Sequence, residues 1–533
     1  MLTPFGGTSH KIIFSSLATG LGQNGHNVTL VSVFKPPRTE PNVNEIVIPA
    51  IEDLNRQLQQ IHIRIGKEGY TYSASKHLAS VSEQLCDAFY QTKIMKTWLE
   101  SRRFDSIIID AVVGECLFPV AALLTSSVVV MNTAALFPWI SDPTNCPTPY
   151  SFIPNMFYSL PPKMTFWQRL ENTITYEKIK FLTDWIVYPL VEKTIRKHFP
   201  GTKTVLEALA DANLVLVNAD SVVSITRPDM PFIKNVAGIH LSPTAEPLSE
   251  DLAKYVESAG DSGVILFSLG SIFDGVMTKE QVSLFLTAFS KLKYQFIWKY
   301  KEELESVPKN VKILKWLPQQ DLLANPKVKV FITHAGLLSL QEAFYHQVPT
   351  VTLLVFADQH HNSAYLAYKN ASVPLNWDNL NVDNIVAAIT RAAEDKTLRE
   401  NVKKMSKMSR NVQISPIKEA VYWVEYVMRH QGAPHLQSTA KQLNYFQYFL
   451  LDVFLFLIIA AISCSKGIYC LLISLASGNT TEQLTSNPAQ SRSFLAVKRP
   501  AIQPNSFSPG SVITSRAVIS EPLDLIVGHT YSY

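Results

Sequence analysis

Residues 316–359 read WLPQQDLLANPKVKVFITHAGLLSLQEAFYHQVPTVTLLVFADQ, and the succession of apolar and polar runs in this stretch decides the fold class. The apolar run 328–332 predicts a strand that stops at Thr333-His334-Ala335-Gly336, where a helix carrying Glu342 begins. A second apolar run, 350–356, delivers Asp358-Gln359. Strand, turn, helix and strand in this order place polar groups where strands end, the usual ligand position in an open parallel sheet.

Outward from this stretch the same alternation continues. Runs 264–269, 294–298 and 311–315 read as strands of the second half, with helices over 279–292, 382–409 and 418–429. The first half offers strands at 27–34, 46–48, 104–110, 127–131 and 214–217, separated by helical stretches. Between them, 132–163 is rich in Pro and aromatics, a long loop of the kind that lines a site or touches a membrane. The spacing predicts an α/β chain of two Rossmann-like parallel-sheet domains, 1–225 and 248–432, facing a cleft and joined by a Pro-punctuated linker, 226–247.

A chain of 533 residues suits several domains, and 47% hydrophobic against 17% charged residues suits a membrane-associated globular enzyme. The net charge of +4 is small and the basic side chains are scattered, which sets nucleic acid aside as a partner. Five cysteines form no CxxC pair and suggest no metal framework; Cys86, Cys116 and Cys146 are compatible with an oxidising lumen.

Residues 446–475 are apolar for long enough to cross a bilayer, which takes ~20 residues, with Lys466 able to snorkel to the headgroups. A buried helix of a soluble domain is the competing reading. The Ser/Pro/Thr-rich stretch 476–533 reads as a disordered tail, and its basic residues favour the cytosolic side. No signal peptide is legible at the start, and the strand that should precede the first helix is almost entirely missing, so the N-terminus reads as incomplete.

His10, in Gly6-Gly7-Thr8-Ser9-His10, falls where a first strand would hand over to the first helix. Asp110 ends the strand 104–110 at the same sheet edge. An imidazole oriented by a carboxylate is a general base, although either residue alone would pass as a surface or capping group. The helix that opens at His334 turns free N–H groups and a positive dipole end toward the cleft, a ready anion site. Ser339 lies one turn further on and Glu342 two turns from His334 on the same face.

Trp316, Pro318-Gln319, Thr333-His334-x-Gly336, a Glu eight residues after the His and a closing Asp358-Gln359 together resemble the signature of the family-1 UDP-glycosyltransferases. The pairs Arg227-Pro228 and Met230-Pro231, residues 267–271 and 427–433, and a single late apolar span look like animal members. Leu337-Leu338-Ser339 resembles invertebrate ones. The resemblance implies a GT-B fold with a C-terminal transmembrane helix. It also implies inverting transfer of a glucuronosyl or glucosyl group from UDP-glucuronate or UDP-glucose to the hydroxyl of a small lipophilic acceptor, as in detoxification.

By that resemblance His10 and Asp110 are catalytic. Trp316 and Gln319 hold the nucleoside, and Ser271, His334, Gly336 and Ser339 surround the diphosphate. Glu342 takes the ribose, and Asp358 and Gln359 take the sugar hydroxyls. No metal or other cofactor is implied, since the UDP-sugar is a co-substrate. The resemblance places the chain in the endoplasmic reticulum membrane as a single-pass protein with lumenal domains, and it admits a homo- or hetero-oligomer.

The sequence departs from the pattern at Ala335 and Gln347, where the family commonly has Gly, and at Asn325, Thr352 and Leu354. A Cβ at Ala335 would crowd the diphosphate or demand an unusual backbone angle. The lost glycines and the incomplete N-terminus motivate a rival expectation, a catalytically impaired homologue that only binds UDP-sugar or lipophilic ligands; a third reading is a soluble nucleotide-sugar epimerase, which predicts no membrane retention.

Overall fold

The computed structural model describes residues 1–35, 40–101, 104–270 and 277–478. Short runs of Val, Ile and Leu buried on both faces are the mark of parallel strands covered by helices, and all strand pairings here are parallel. The first sheet holds β1 (Leu2–Thr3), β2 (Val28–Ser32), β3 (Val43–Val47), β4 (Ile107–Asp110), β5 (Val128–Asn132), β6 (Leu214–Val217) and β7 (Ile233–Asn235). Their spatial order is β3-β2-β1-β4-β5-β6-β7. The second sheet holds β8 (Val264–Ser268), β9 (Gln295–Lys299), β10 (Val311–Leu314), β11 (Val328–Thr333), β12 (Thr350–Leu353) and β13 (Ser372–Leu375). Its order is β10-β9-β8-β11-β12-β13.

Three strands differ from the sequence expectation. The first strand, expected to be missing, is present as the two residues of β1, inserted between β2 and β4. Two residues carry no periodicity, which is why they escaped. The stretch 226–247, expected as linker, contributes β7, which pairs with β6 at the edge of the first sheet. β13 was also missed; its Pro374 is exposed at the sheet margin, where a residue without an N–H is tolerated.

The helix Thr8–Gln23 leaves β1 and lies along the helix Pro416–Arg429, which returns to the first sheet after the second is complete. A Cβ on Gly20 would collide with Ile417 at 2.6 Å, so the two helices touch where Gly20 has no side chain. His26 adds a 3.0 Å contact to Glu425. The Pro-rich loop is pinned from beneath: the buried Asn172, on the helix Phe166–Leu182, donates to the carbonyls of Tyr150 and Ile153 and accepts from the Asn155 N–H. A disulfide joins Cys86 to Cys116, tying the helix Tyr72–Tyr90 to the turn that follows β4.

Residues 1–449 form one compact unit; a second begins at Leu450. Its described part is the helix Leu451–Gly478, in which Leu451–Leu475 is long and apolar enough to cross a membrane. The span expected over 446–475 therefore starts at Leu451, because Tyr445–Tyr448 forms a separate short helix of the first unit. Of the stretch 476–533, expected as a disordered tail, residues 476–478 continue the helix and 479–533 lie outside the described residues, as does Ser271.

Candidate active site

The carboxyl ends of the two sheets face one another across a cavity of about 550 Å³, and loops from both line it. On the first-sheet side the chain must turn from β1 into the helix Thr8–Gln23 within a few residues. Gly6 permits this: a Cβ there would stand 2.7 Å from His10 Cβ and 2.9 Å from Asp110 Oδ2. Glycine thus lets the two functional side chains close on each other.

His10 Nδ1 lies 2.7 Å from Asp110 Oδ2. The same oxygen accepts from Thr3 Oγ1 at 2.8 Å, and Oδ1 accepts from the Val112 N–H at 3.0 Å. Asp110 is 2% exposed, so its three hydrogen bonds fix its orientation. Thr133 Oγ1 approaches both ring nitrogens of His10, at 3.2 and 3.4 Å. Burial presses the imidazole toward its neutral form. The charge and hydrogen bond of Asp110, and the charge of Asp358 across the cleft, outweigh it and hold the pKa above the usual value of 6.5.

On the second-sheet side, β11 ends in Thr333 and the helix Leu337–Tyr345 begins after Ala335 and Gly336. The His334 ring is held between two glycines. A Cβ on Gly270 would meet its Cε1 at 2.8 Å, and one on Gly336 would collide with its Nε2. Burial, and secondarily the charge of Lys299, lower the His334 pKa to about 4, so at neutral pH the ring is uncharged and can donate one hydrogen bond. Ala335 adopts φ +67° and Gln347 φ +63°, both left-handed. Asn362 braces the first of these: its side-chain amide donates to the Ala335 carbonyl at 3.1 Å and to Asp358 Oδ2 at 2.9 Å.

Gln319 begins a short helix, Gln319–Ala324, and its amide donates to Ser339 Oγ at 3.1 Å and to Glu342 Oε2 at 2.6 Å. Glu342 is 7% exposed, and His240 Nε2 stands 3.5 Å from its other oxygen. Trp316 is 66% exposed and therefore no core aromatic; its ring carries the Lys299 ammonium at 5.1 Å and offers a flat face to the cavity. Gln359 Oε1 accepts from the N–H groups of Val355 and Phe356, which leaves its NH₂ for the cavity. Burial raises the Asp358 pKa above its usual 3.8 despite the opposing Asn362 hydrogen bond and the nearby His10.

The arrangement offers a base on one wall, and on the other a helix N-terminus, a flat aromatic face and strand-end polar groups. Such a set can hold an anionic nucleotide-linked group opposite a proton acceptor. The family model for UDP-glucoronosyl and UDP-glucosyl transferase matches residues 8–474. The chain belongs to this family.

Among curated members, it is 31% identical over 475 residues to "UDP-glycosyltransferase UGT5" of Dactylopius coccus, covering 87% of this chain and 90% of that one. It is 30% identical over 480 residues to "UDP-glucuronosyltransferase 2A2" of Homo sapiens, covering 85% and 87%. In fold it resembles UGT71G1 of Medicago truncatula, solved with UDP-glucose, at TM-score 0.53 and 15% identity over 81% of this chain and 97% of that one. Os79 of O. sativa, solved with UDP, gives 0.52 at 15% identity over 79% and 98%. The fold is thus GT-B, and the chain is a member of the UDP-glycosyltransferases with an apolar C-terminal helix.

Of the residues expected from sequence, His10 and Asp110 meet on one wall, while Trp316, Gln319, His334, Gly336, Ser339, Glu342, Asp358 and Gln359 line the other. Thr3, Thr133, His240, Lys299 and Asn362 were not foreseen. They stand against Asp110, His10, Glu342, Trp316 and Asp358 in turn, and no motif spacing marks such partners.

Proposed function

We propose that this transferase moves a glucuronosyl or glucosyl group from its UDP-sugar to the hydroxyl of a small lipophilic acceptor, with inversion at the anomeric carbon. The observation that carries this reading is the 2.7 Å contact between His10 Nδ1 and the fully hydrogen-bonded Asp110. With Nδ1–H donated to Asp110, Nε2 is the free base. It takes the acceptor's O–H proton as the oxygen bonds to the anomeric carbon, and the bond from that carbon to the UDP oxygen breaks. The departing diphosphate meets the N-terminus of the helix Leu337–Tyr345, and the reading assigns charge neutralisation to that dipole and its N–H groups. Glu342 then takes the ribose hydroxyls, Trp316 the uracil, and Asp358 with Gln359 the sugar.

The first-sheet part of the cavity supports a lipophilic acceptor, since Phe5, Leu58, Phe137, Trp139, Met156 and Phe157 all face it. The intact His10–Asp110 pair favours turnover over binding alone. The apolar helix Leu451–Gly478 and the Cys86–Cys116 disulfide support a membrane-anchored enzyme with its catalytic domains in an oxidising lumen. We place it in the endoplasmic reticulum, with conjugation for detoxification as its role.

The test uses full-length protein, a phenol acceptor and UDP-glucose or UDP-glucuronate. His10→Ala should lower turnover ~10²- to 10⁴-fold with UDP binding intact. Equal transfer by wild type and variant would remove His10 from catalysis. Release of the protein by alkaline extraction of membranes would remove the anchor.

A further inference from the structure

The acceptor side of the cavity contains a carboxylate that the transfer reaction does not use. Glu115 follows β4 by five residues, so the loop that leaves the catalytic Asp110 carries it, and it lines the same cavity as His10. Val113, Phe137, Met156 and Val187 line the same cavity, and the Tyr70 and Tyr188 phenols stand close enough to feel the Glu115 charge. Its Oε2 atom is buried and has no hydrogen-bond partner among the described residues. An unsatisfied buried carboxylate oxygen is costly, and the cost is expected to be offset at a site that receives a ligand.

The local backbone is bent to put it there. Val113 adopts φ +54°, a left-handed conformation that a β-branched residue avoids, and such strain persists where the surrounding structure imposes it. Gly114 completes the turn; a Cβ at that position would collide with the Asp110 carbonyl and approach Phe118 at 3.2 Å. Other hydroxyls border the same space. Tyr70 and Thr183 face the cavity and lie 3.5 Å apart. Burial, opposed by a hydrogen bond from its own backbone and aided by the Asp110 charge, raises the Glu115 pKa to about 7, so near neutral pH much of it is a carboxylic acid able both to donate and to accept.

We propose that Glu115 binds a second hydroxyl of the acceptor, so that the preferred substrates are lipophilic diols with one hydroxyl at His10 and another seated at Glu115. This rests on the transferase reading for the meaning of "acceptor", but the hydroxyl site is a binding claim and can be measured without turnover. A molecule with only the reacting hydroxyl leaves the Glu115 oxygen unpaired, and the site discriminates against it for that reason.

The experiment uses the full chain in detergent with UDP bound, and two matched acceptor pairs. The pairs are resorcinol against phenol, and a biphenyl hydroxylated at both ends against one hydroxylated at a single end. Acceptor binding is followed by calorimetry and, separately, transfer by product formation. Wild type should bind at least one diol about 10- to 100-fold more tightly than its partner. Glu115→Leu should bring that diol down to the level of the mono-hydroxy compound while leaving the latter and UDP within about threefold. Glu115→Gln, which keeps a donor and an acceptor, should restore most of the preference.

No diol preference in wild type, or an equal loss for diol and mono-hydroxy compounds in Glu115→Leu, overturns the assignment. Diol-selective binding without transfer would leave the Glu115 site standing and remove the transferase reading. Transfer without discrimination would do the reverse.

Discussion

Asp358, at the tip of the second sheet, and His10, at the tip of the first, act on each other's ionisation across the cleft. The Asp358 charge adds to Asp110 in raising the His10 pKa, and His10 opposes the burial that raises Asp358. A residue expected to contact the sugar therefore also tunes the base. His10 must be neutral to accept a proton, so the acidic limb of kcat/KM follows its pKa. Asp358→Asn should move that limb to lower pH, apart from any loss of sugar binding. A pH profile from 5 to 9 with the limb in its wild-type position would show that the two residues are not coupled.

The glycines around His334 should be intolerant of a single methyl group. Gly336 has an ordinary backbone conformation, so Gly336→Ala acts only through collision with the His334 ring. We expect the KM for UDP-sugar to rise about tenfold or more, the loss of one or two hydrogen bonds to a charged group, with circular dichroism unchanged. A wild-type KM would mean the ring position is immaterial to the donor.

Glu342 is an acceptor for the Gln319 amide and stands 3.5 Å from His240 Nε2, so its loss removes one of the two Gln319 hydrogen bonds and the carboxylate facing a buried imidazole. Glu342→Ala should weaken UDP binding about 10- to 100-fold. Gln319→Ala should weaken it less, because Glu342 then remains free to bond the ribose. Calorimetry with UDP ranks the two, and the opposite order would contradict these roles.

Gln347 is exposed and left-handed at φ +63°. The left-handed conformation costs a non-glycine residue about 1–2 kcal/mol, and glycine gives back about 0.4–1 kcal/mol through unfolded-state entropy. Gln347→Gly should therefore stabilise the fold by about 0.5–1 kcal/mol, visible as a higher Tm with unchanged kcat. A lower Tm would assign the Gln347 side chain a role of its own.

His361 is 6% exposed, and burial lowers its pKa from 6.5 to about 4. Between those values the unfolded chain binds a proton that the folded one refuses, so stability is fullest above pH 6.5 and declines as pH falls toward 4. One such group contributes a slope of up to about 1.4 kcal/mol per pH unit. His361→Gln should flatten the fall of Tm between pH 6.5 and 4.5; an unaltered slope would clear His361.

The architecture was legible where periodicity was strong. β11 and the helix after it emerge from an apolar run that stops at Thr333 and a helix that starts at Gly336. β1, β7 and β13 were not, being two to four residues long or interrupted by Pro. The side chains that line the cavity opposite His10 were legible in the sequence because they sit at strand ends with motif spacing. Their supports were not. Asn362, 27 residues from Ala335 in sequence, steadies it only because the fold brings a helix back over that turn. The concern over a Cβ at Ala335 is answered in the same place: the backbone takes the left-handed angle and is held there.

The return of the helix Pro416–Arg429 to the first sheet has a mechanical consequence. The polypeptide crosses between the two sheets twice, once between β7 and β8 and again ahead of Pro416. Two tethers at separate points define an axis. That connectivity favours opening of the cleft by rotation about the line between the crossings, as in hinge closure. The contact of Gly20 with Ile417 and Val421 anchors the second tether, so widening that contact should alter the swing of the halves before it alters either sheet.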